Sequence, residues 1–390
     1  MLDVLYNLLI ILMVLFWLLS FKKTKRPGRL RRFVSKNALV VGISLWILAS
    51  ILVVVFVVEF DYFGDSRDVD DAVDAAVVNW TSGINPYTEF VVPRFSEMGH
   101  FAIFGDNSDS IAVWSYGPYN YLPFDLMFYS TAHAALGEFG SPVWFVITNI
   151  MCASFALFLF YRLLDIKNPY LYSPFAIMLV IFYAFDNTSL TMLLIIGALY
   201  LKERSPVIPE TLAVMAMGVA CLTKIFAVIP FIVLALFILQ REIKNRDLRK
   251  IAEAAVAIAA ACIIAILVIA PFGMSDVLDS TVFVYSSGEV RDDMPIGGTV
   301  LSELIGGNSY YSYICLGTMA AAVLIGLLLR SSNDRVLLFL SVFLLVSVKS
   351  TLAPFCIAWI FLALKYRDVL VLRDKEFETT KTPPPQASDP

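Results

Sequence analysis

Apolar runs of membrane-spanning length recur along most of this chain, and no other feature limits its fold so strongly. About twenty apolar residues in a helix cross the hydrocarbon layer, where every backbone N–H and C=O must find its partner within the protein. Such runs, some shorter than a full span, cover 4–21, 38–60, 142–162, 170–185, 188–201, 209–239, 251–271, 310–329, 336–348 and 351–364. The 390 residues are 59% hydrophobic and 16% charged, whereas soluble domains run near 25% charged. The expected fold is an all-α integral membrane protein, a polytopic bundle of about 9–11 spans with a large first extracytoplasmic loop.

Charge sets the orientation. Residues 21–36 hold Lys22, Lys23, Lys25, Arg26, Arg29, Arg31, Arg32 and Lys36 with no acid, and so belong on the cytoplasmic side of the plasma membrane. Residues 1–37 are then an anchor helix with a basic cytoplasmic loop, residues 38–368 the transmembrane domain, and residues 369–390 a disordered cytoplasmic tail by composition. Outer loops are expected at 61–118 and 272–309. Nothing in the charge pattern points to nucleic acid. Membrane lipids are the implied surroundings. The five cysteines lie in or beside apolar segments without a C-x-x-C pair, which fits packing residues.

The 61–118 loop is acidic. It holds ten Asp and Glu residues against Arg67 and Arg94, and six of the acids (Asp61, Asp65, Asp68, Asp70, Asp71, Asp74) crowd its first part. The run Arg67–Thr81 predicts a short helix stopped by Ser82-Gly83. On it Asp68 and Asp71 share one face and Asp70 and Asp74 another. Crowded carboxylates repel, which raises at least one pKa toward the range useful to a general base. The competing reading of any single aspartate is a solvated acidic face.

Two later segments break the pattern of plain spans. Stretch 119–137 contains Pro123, Asp125 and His133 and reads as re-entrant or interfacial, which places Asp186-Asn187 outside. The run 209–239 is interrupted at Thr223-Lys224 and again at Pro230, with basic residues on both flanks. Two short helices meeting at the outer face reconcile these features and leave Lys224 where a cation must be paired, wet or snorkelling. Lys224, Arg291 and Arg94 are candidates to hold a phosphate. Trp80, Tyr87, Trp114, Tyr116, Tyr119 and Tyr121 suit either sugar stacking or an interfacial belt. With only His100 and His133 available, a His-based metal site is not expected.

The pieces DVDDAVDAAVVNWTSGINPY at 68–87, YGPYNYLP at 116–123, FDNTSL at 185–190 and LTKIFAVIP at 222–230 resemble the multi-span GT-C glycosyltransferases that use polyprenyl-phosphate sugars. The resemblance covers roughly residues 38–300. It implies transfer of a hexose, with mannose a candidate, from a polyprenyl- or dolichyl-phosphate donor to an extracytoplasmic glycan, lipid or protein acceptor. It also implies a first-loop aspartate as base, carried here by Asp71 or Asp68 with Asp70 close behind. The substrate-binding set would be Asn85, Tyr87, Arg94, Tyr116, Tyr119, Asp186, Asn187, Lys224 and Arg291. No clean Asp-x-Asp or Glu-Asp pattern selects one aspartate, so a divalent cation (Mg or Mn) stays open as a cofactor. A polyprenyl phosphate leaves as a stable anion, so one carboxylate that takes the acceptor's proton suffices for inversion. A lipid or solute transporter or flippase, using Lys224 and Asp125, and a non-enzymatic scaffold are the alternatives.

Overall fold

The computed structural model describes residues 68–89, 92–97, 113–141, 143–165, 187–204, 208–281, 334–340 and 352–368, with parts of 44–55 and 321–331. Helices dominate: α1 (Asp68–Thr81), α2 (Pro123–Leu136), α3 (Val143–Leu164), α4 (Thr188–Arg204), α5 (Ile208–Cys221), α6 (Val228–Asn245), α7 (Leu248–Ile269), α8 (Met274–Thr281) and α9 (Leu352–Lys365). Between α1 and α2, β1 (Val92–Glu97) and β2 (Val113–Gly117) pair as an antiparallel ribbon. This ribbon interrupts the otherwise helical architecture inside the first outer loop, with a register irregularity between Phe95 and Glu97.

Among the described residues, Val143–Leu164 and Leu248–Phe272 are long and apolar enough to cross a membrane. Their exposed apolar side chains, such as Phe155 and Phe158 on α3 and Val256 and Leu267 on α7, suit contact with lipid tails. Helix α2, 14 residues long, rises only about 21 Å and is too short to cross by itself. The apolar runs at 4–21 and 170–185, most of 38–60, the first half of 310–329 and the end of 336–348 lie outside the described residues, as does most of the expected outer loop 272–309.

Local chemistry explains the boundaries. Helix α1 stops where Gly83 takes φ +85°, a conformation costly for residues with a Cβ, and Ile84 N donates back to Asn79 O at 2.9 Å. Pro123 opens α2, where its missing N–H costs nothing. Asp247 caps α7 by accepting from Lys250 N at 3.1 Å. The run 209–239 divides where the sequence reading placed the break: α5 ends at Cys221, Leu222–Lys224 leave the helix, and α6 begins at Val228.

Helices α4, α5, α6 and α7 run alternately up and down, so the α4 start, the α5–α6 break and the α7 end lie at one end of the group. The α4–α5 and α6–α7 turns lie at the other end. One apolar cluster, with Phe160, Ile195, Met217, Leu234 and Ala257, fills the space between these helices. A second cluster sits at the break end and joins Val73 and Val77 of α1 to Leu126 and Tyr129 of α2, Trp144 of α3, Leu222 and Phe272. That second cluster seats the aspartate helix on the bundle.

Candidate active site

The α5–α6 break is held by its neighbours. Leu122 N and Phe124 N donate to the carbonyls of Thr223 and Leu222, at 3.4 and 3.1 Å, so the start of α2 takes up carbonyls released by the break. Thr223 Oγ1 lies 2.8 Å from Thr191 Oγ1 and 2.6 Å from Ala220 O. Lys224 is buried, donates to Thr188 Oγ1 at 2.7 Å and lies 5.3 Å from the ring centre of Tyr121. A buried ammonium needs such partners, since its desolvation is otherwise prohibitive.

Thr188 is the first residue of α4, where unpaired backbone N–H groups and the helix dipole carry partial positive charge. Lys224 therefore adds a full charge to a helix start. The neighbouring Asn187 donates from Nδ2 to Asp125 Oδ2 at 2.9 Å, and Tyr119 OH donates to the same oxygen at 2.7 Å. Asp125, Asn187, Thr188 and Thr223 are all fully buried. Sequence reasoning valued Asn187 and Lys224 but gave Asp125 only to a transport path and left Thr188 unnamed. The one available signal was a lone acid in an apolar stretch, which does not reveal its partners.

The other anticipated residues fall into distinct places. Asp70 is 1% exposed and Asp71 half-buried, both in the first turn of α1. Asp74 accepts from Trp144 Nε1 at 2.9 Å and thereby ties α1 to α3. Asn85 Oδ1 accepts from Tyr87 N at 3.1 Å, and its Nδ2 donates to Phe272 O at 2.9 Å. Tyr87, buried, donates from its hydroxyl to Tyr121 O at 2.8 Å, while Tyr119 N donates to Pro86 O at 2.6 Å. These bonds make the Asn-Pro-Tyr turn a clamp that holds α1, the approach to α2 and the end of α7 together. Burial pushes both Tyr87 and Tyr119 well above the usual phenol range, and the Asp125 charge pushes them further. Arg94 lies in β1 opposite Ser115, and Tyr116 in β2 opposite Pro93. The side chain of Asp68, together with Asp186 and Arg291, lies outside the described residues. Among the described residues no three His, Cys, Asp or Glu side chains gather as a metal ion would require.

A buried ammonium on a helix start, beside a sheltered carboxylate and close to an acidic helix, is suited to holding an anion while a hydroxyl is deprotonated nearby. Residues 177–354 match the family model of glycosyltransferase family 87. The chain is a glycosyltransferase. Family 87 is of the GT-C type, and its match together with the two apolar helices makes this glycosyltransferase a membrane protein. The matched segment contains Asn187, Thr188, Thr223 and Lys224 but begins after α1 and α2. The aspartate helix and Asp125 of the glycosyltransferase therefore lie outside the matched region. No curated protein and no solved structure matches the chain.

Proposed function

We propose that this glycosyltransferase moves a hexose from a polyprenyl-phosphate donor to an extracytoplasmic hydroxyl, with inversion, and that a first-turn aspartate of α1 is the base. Mannose is the first sugar to test. The observation that carries this reading is the seating of Lys224 on Thr188 at the α5–α6 break, in the end of the bundle where α1 packs. The donor's phosphate would sit on Lys224 and the start of α4, which stabilise the anion as the glycosidic bond breaks. Tyr121, packed against Lys224, would border the sugar.

The acceptor's proton goes to Asp68, Asp70 or Asp71. Asp74 ties α1 to α3 through Trp144, and the three other aspartates of α1 lie in its first turn. Asp70 is turned into the bundle, whereas Asp71 is half-buried and keeps a face an acceptor could reach. The outward orientation rests on the basic 21–36 loop and places this end of the bundle on the extracytoplasmic face of the plasma membrane. The acceptor there is a glycan, a lipid or a protein.

Purified Asp68→Asn, Asp70→Asn, Asp71→Asn and Asp74→Asn variants, assayed with a polyprenyl-phosphate hexose, test the proposal. One of the first three should lose transfer while staying folded, and Asp74→Asn should retain it with a lowered Tm. Full activity in Asp68→Asn, Asp70→Asn and Asp71→Asn alike would remove α1 from the chemistry.

A further inference from the structure

The bonds around Lys224 close into a circuit, and Asp125 is the acid within it. The first link is backbone: Leu122 N and Phe124 N, at the start of α2, donate to the Thr223 and Leu222 carbonyls of the α5–α6 break at 3.4 and 3.1 Å. Asp125, the next residue, donates from its own N–H to Leu122 O at 3.0 Å and reaches α4 with its carboxylate. There Oδ2 accepts from Asn187 Nδ2 at 2.9 Å, and the adjacent Thr188 accepts from Lys224 Nζ at 2.7 Å. The break thus holds α2, α2 holds the start of α4, and α4 holds the lysine of the break.

The same oxygen of Asp125 also ties this circuit to the turn that follows α1. Tyr119 OH donates to Oδ2 at 2.7 Å, and Tyr119 N donates to Pro86 O at 2.6 Å. An ionised carboxylate only accepts, so it dictates that Asn187 turn its amide N–H toward α2 and fixes the rotamer with which α4 begins. Asp125 and Asn187 are fully buried, so both lie behind the surface that a substrate would meet. A buried carboxylate is costly to desolvate, and an apolar group of similar volume often packs as well. What the carboxylate adds is one fixed point shared by two donors from different elements. A charged group that stabilises a transition state depends on such support, because a displacement of about 1 Å can lower a rate by about 10²-fold.

We propose that Asp125 is a positioning residue of sugar transfer, which fixes the seat of Lys224 through Asn187 and anchors that seat to the turn after α1 through Tyr119. The inference rests on the reading of Lys224 as the donor-phosphate clamp. It moves Asn187 from the substrate contacts to the support behind them.

A double-mutant cycle on the purified full chain tests it, with kcat read at saturating polyprenyl-phosphate hexose. Asn187→Ala should lower kcat about tenfold, the loss of one hydrogen bond to a charged group. In the Lys224→Met background the same change should cost less than about twofold, because its effect passes through the lysine. Asp125→Asn, whose amide oxygen still accepts from Asn187, should lose less than Asp125→Ala. Where Asp125→Ala fails to fold, Asn187→Ala carries the test, since it leaves Asp125 bonded to Tyr119. A merely structural pair would lower Tm and cost the same factor of kcat in both backgrounds. That equal loss, or an undiminished kcat in Asn187→Ala, would overturn the positioning role while Lys224→Met alone still reports on the phosphate clamp. A Lys224→Met variant as active as the parent would instead overturn the clamp, and this inference with it.

Discussion

Asn187 Nδ2 donates to Asp125 Oδ2 at 2.9 Å across 62 residues of sequence, and the next residue, Thr188, accepts from Lys224. Two adjacent residues at the start of α4 thus hold one buried anion and one buried cation. This arrangement joins α2, α4 and the α5–α6 break at the point where the proposed donor phosphate sits.

Lys224→Met should reduce kcat/KM for the lipid-linked donor by about 10²–10³-fold, the range seen when one electrostatic stabiliser is removed. Lys224→Arg should recover part of the loss, and Thr188→Ala should cost about tenfold by freeing the ammonium from its seat. Initial rates against donor concentration check this. Unchanged donor kinetics in Lys224→Met would rule out the phosphate clamp.

Tyr119→Phe leaves Asp125 Oδ2 without one of its donors in a fully buried position. The expected cost is about 1–3 kcal/mol of stability, measurable as a lower Tm. The Tyr119→Phe/Asp125→Asn double variant should lose less than the sum of the two single variants, because the residues share one hydrogen bond. Strict additivity would show that the bond carries no energy.

Alkaline pH should separate the two buried tyrosines from the rest. Both phenols are held well above the value of 10.0 that they have when exposed, first by burial and then by Asp125. Above that value the unfolded chain loses protons that the folded chain keeps. The stability they contribute is therefore complete below about pH 10 and is lost as pH rises through the raised folded values. Tyr87→Phe/Tyr119→Phe should flatten the fall of Tm between about pH 9.5 and about 11, the range that brackets an exposed phenol. An unchanged slope would assign it to other groups.

At Gly218, α5 packs tightly against α7. A Cβ there would stand 2.8 Å from Ala261 Cβ, so the helices must separate to admit it. Gly218→Ala should destabilise by about 1–3 kcal/mol, and adding Ala261→Gly should restore most of it. Thermal unfolding of the two variants decides the matter, and an unshifted Tm in Gly218→Ala would show slack at this crossing.

The sequence by itself determined the membrane class, the acidic helix and the broken span. Each of these is a local property: apolar length sets a span, Ser82-Gly83 stops α1, and a Thr-Lys pair inside an apolar run opens the α5–α6 gap. Only the tertiary structure decided which polar groups meet. It assigned Asp74 to Trp144, turned Asn85 and Tyr87 into a clamp and buried Asn187 on Asp125. Such partners lie tens to hundreds of residues apart. Hydrophobic periodicity carries no record of distant pairings, because a buried acid and a solvated acid are the same letter until the chain has folded around one of them.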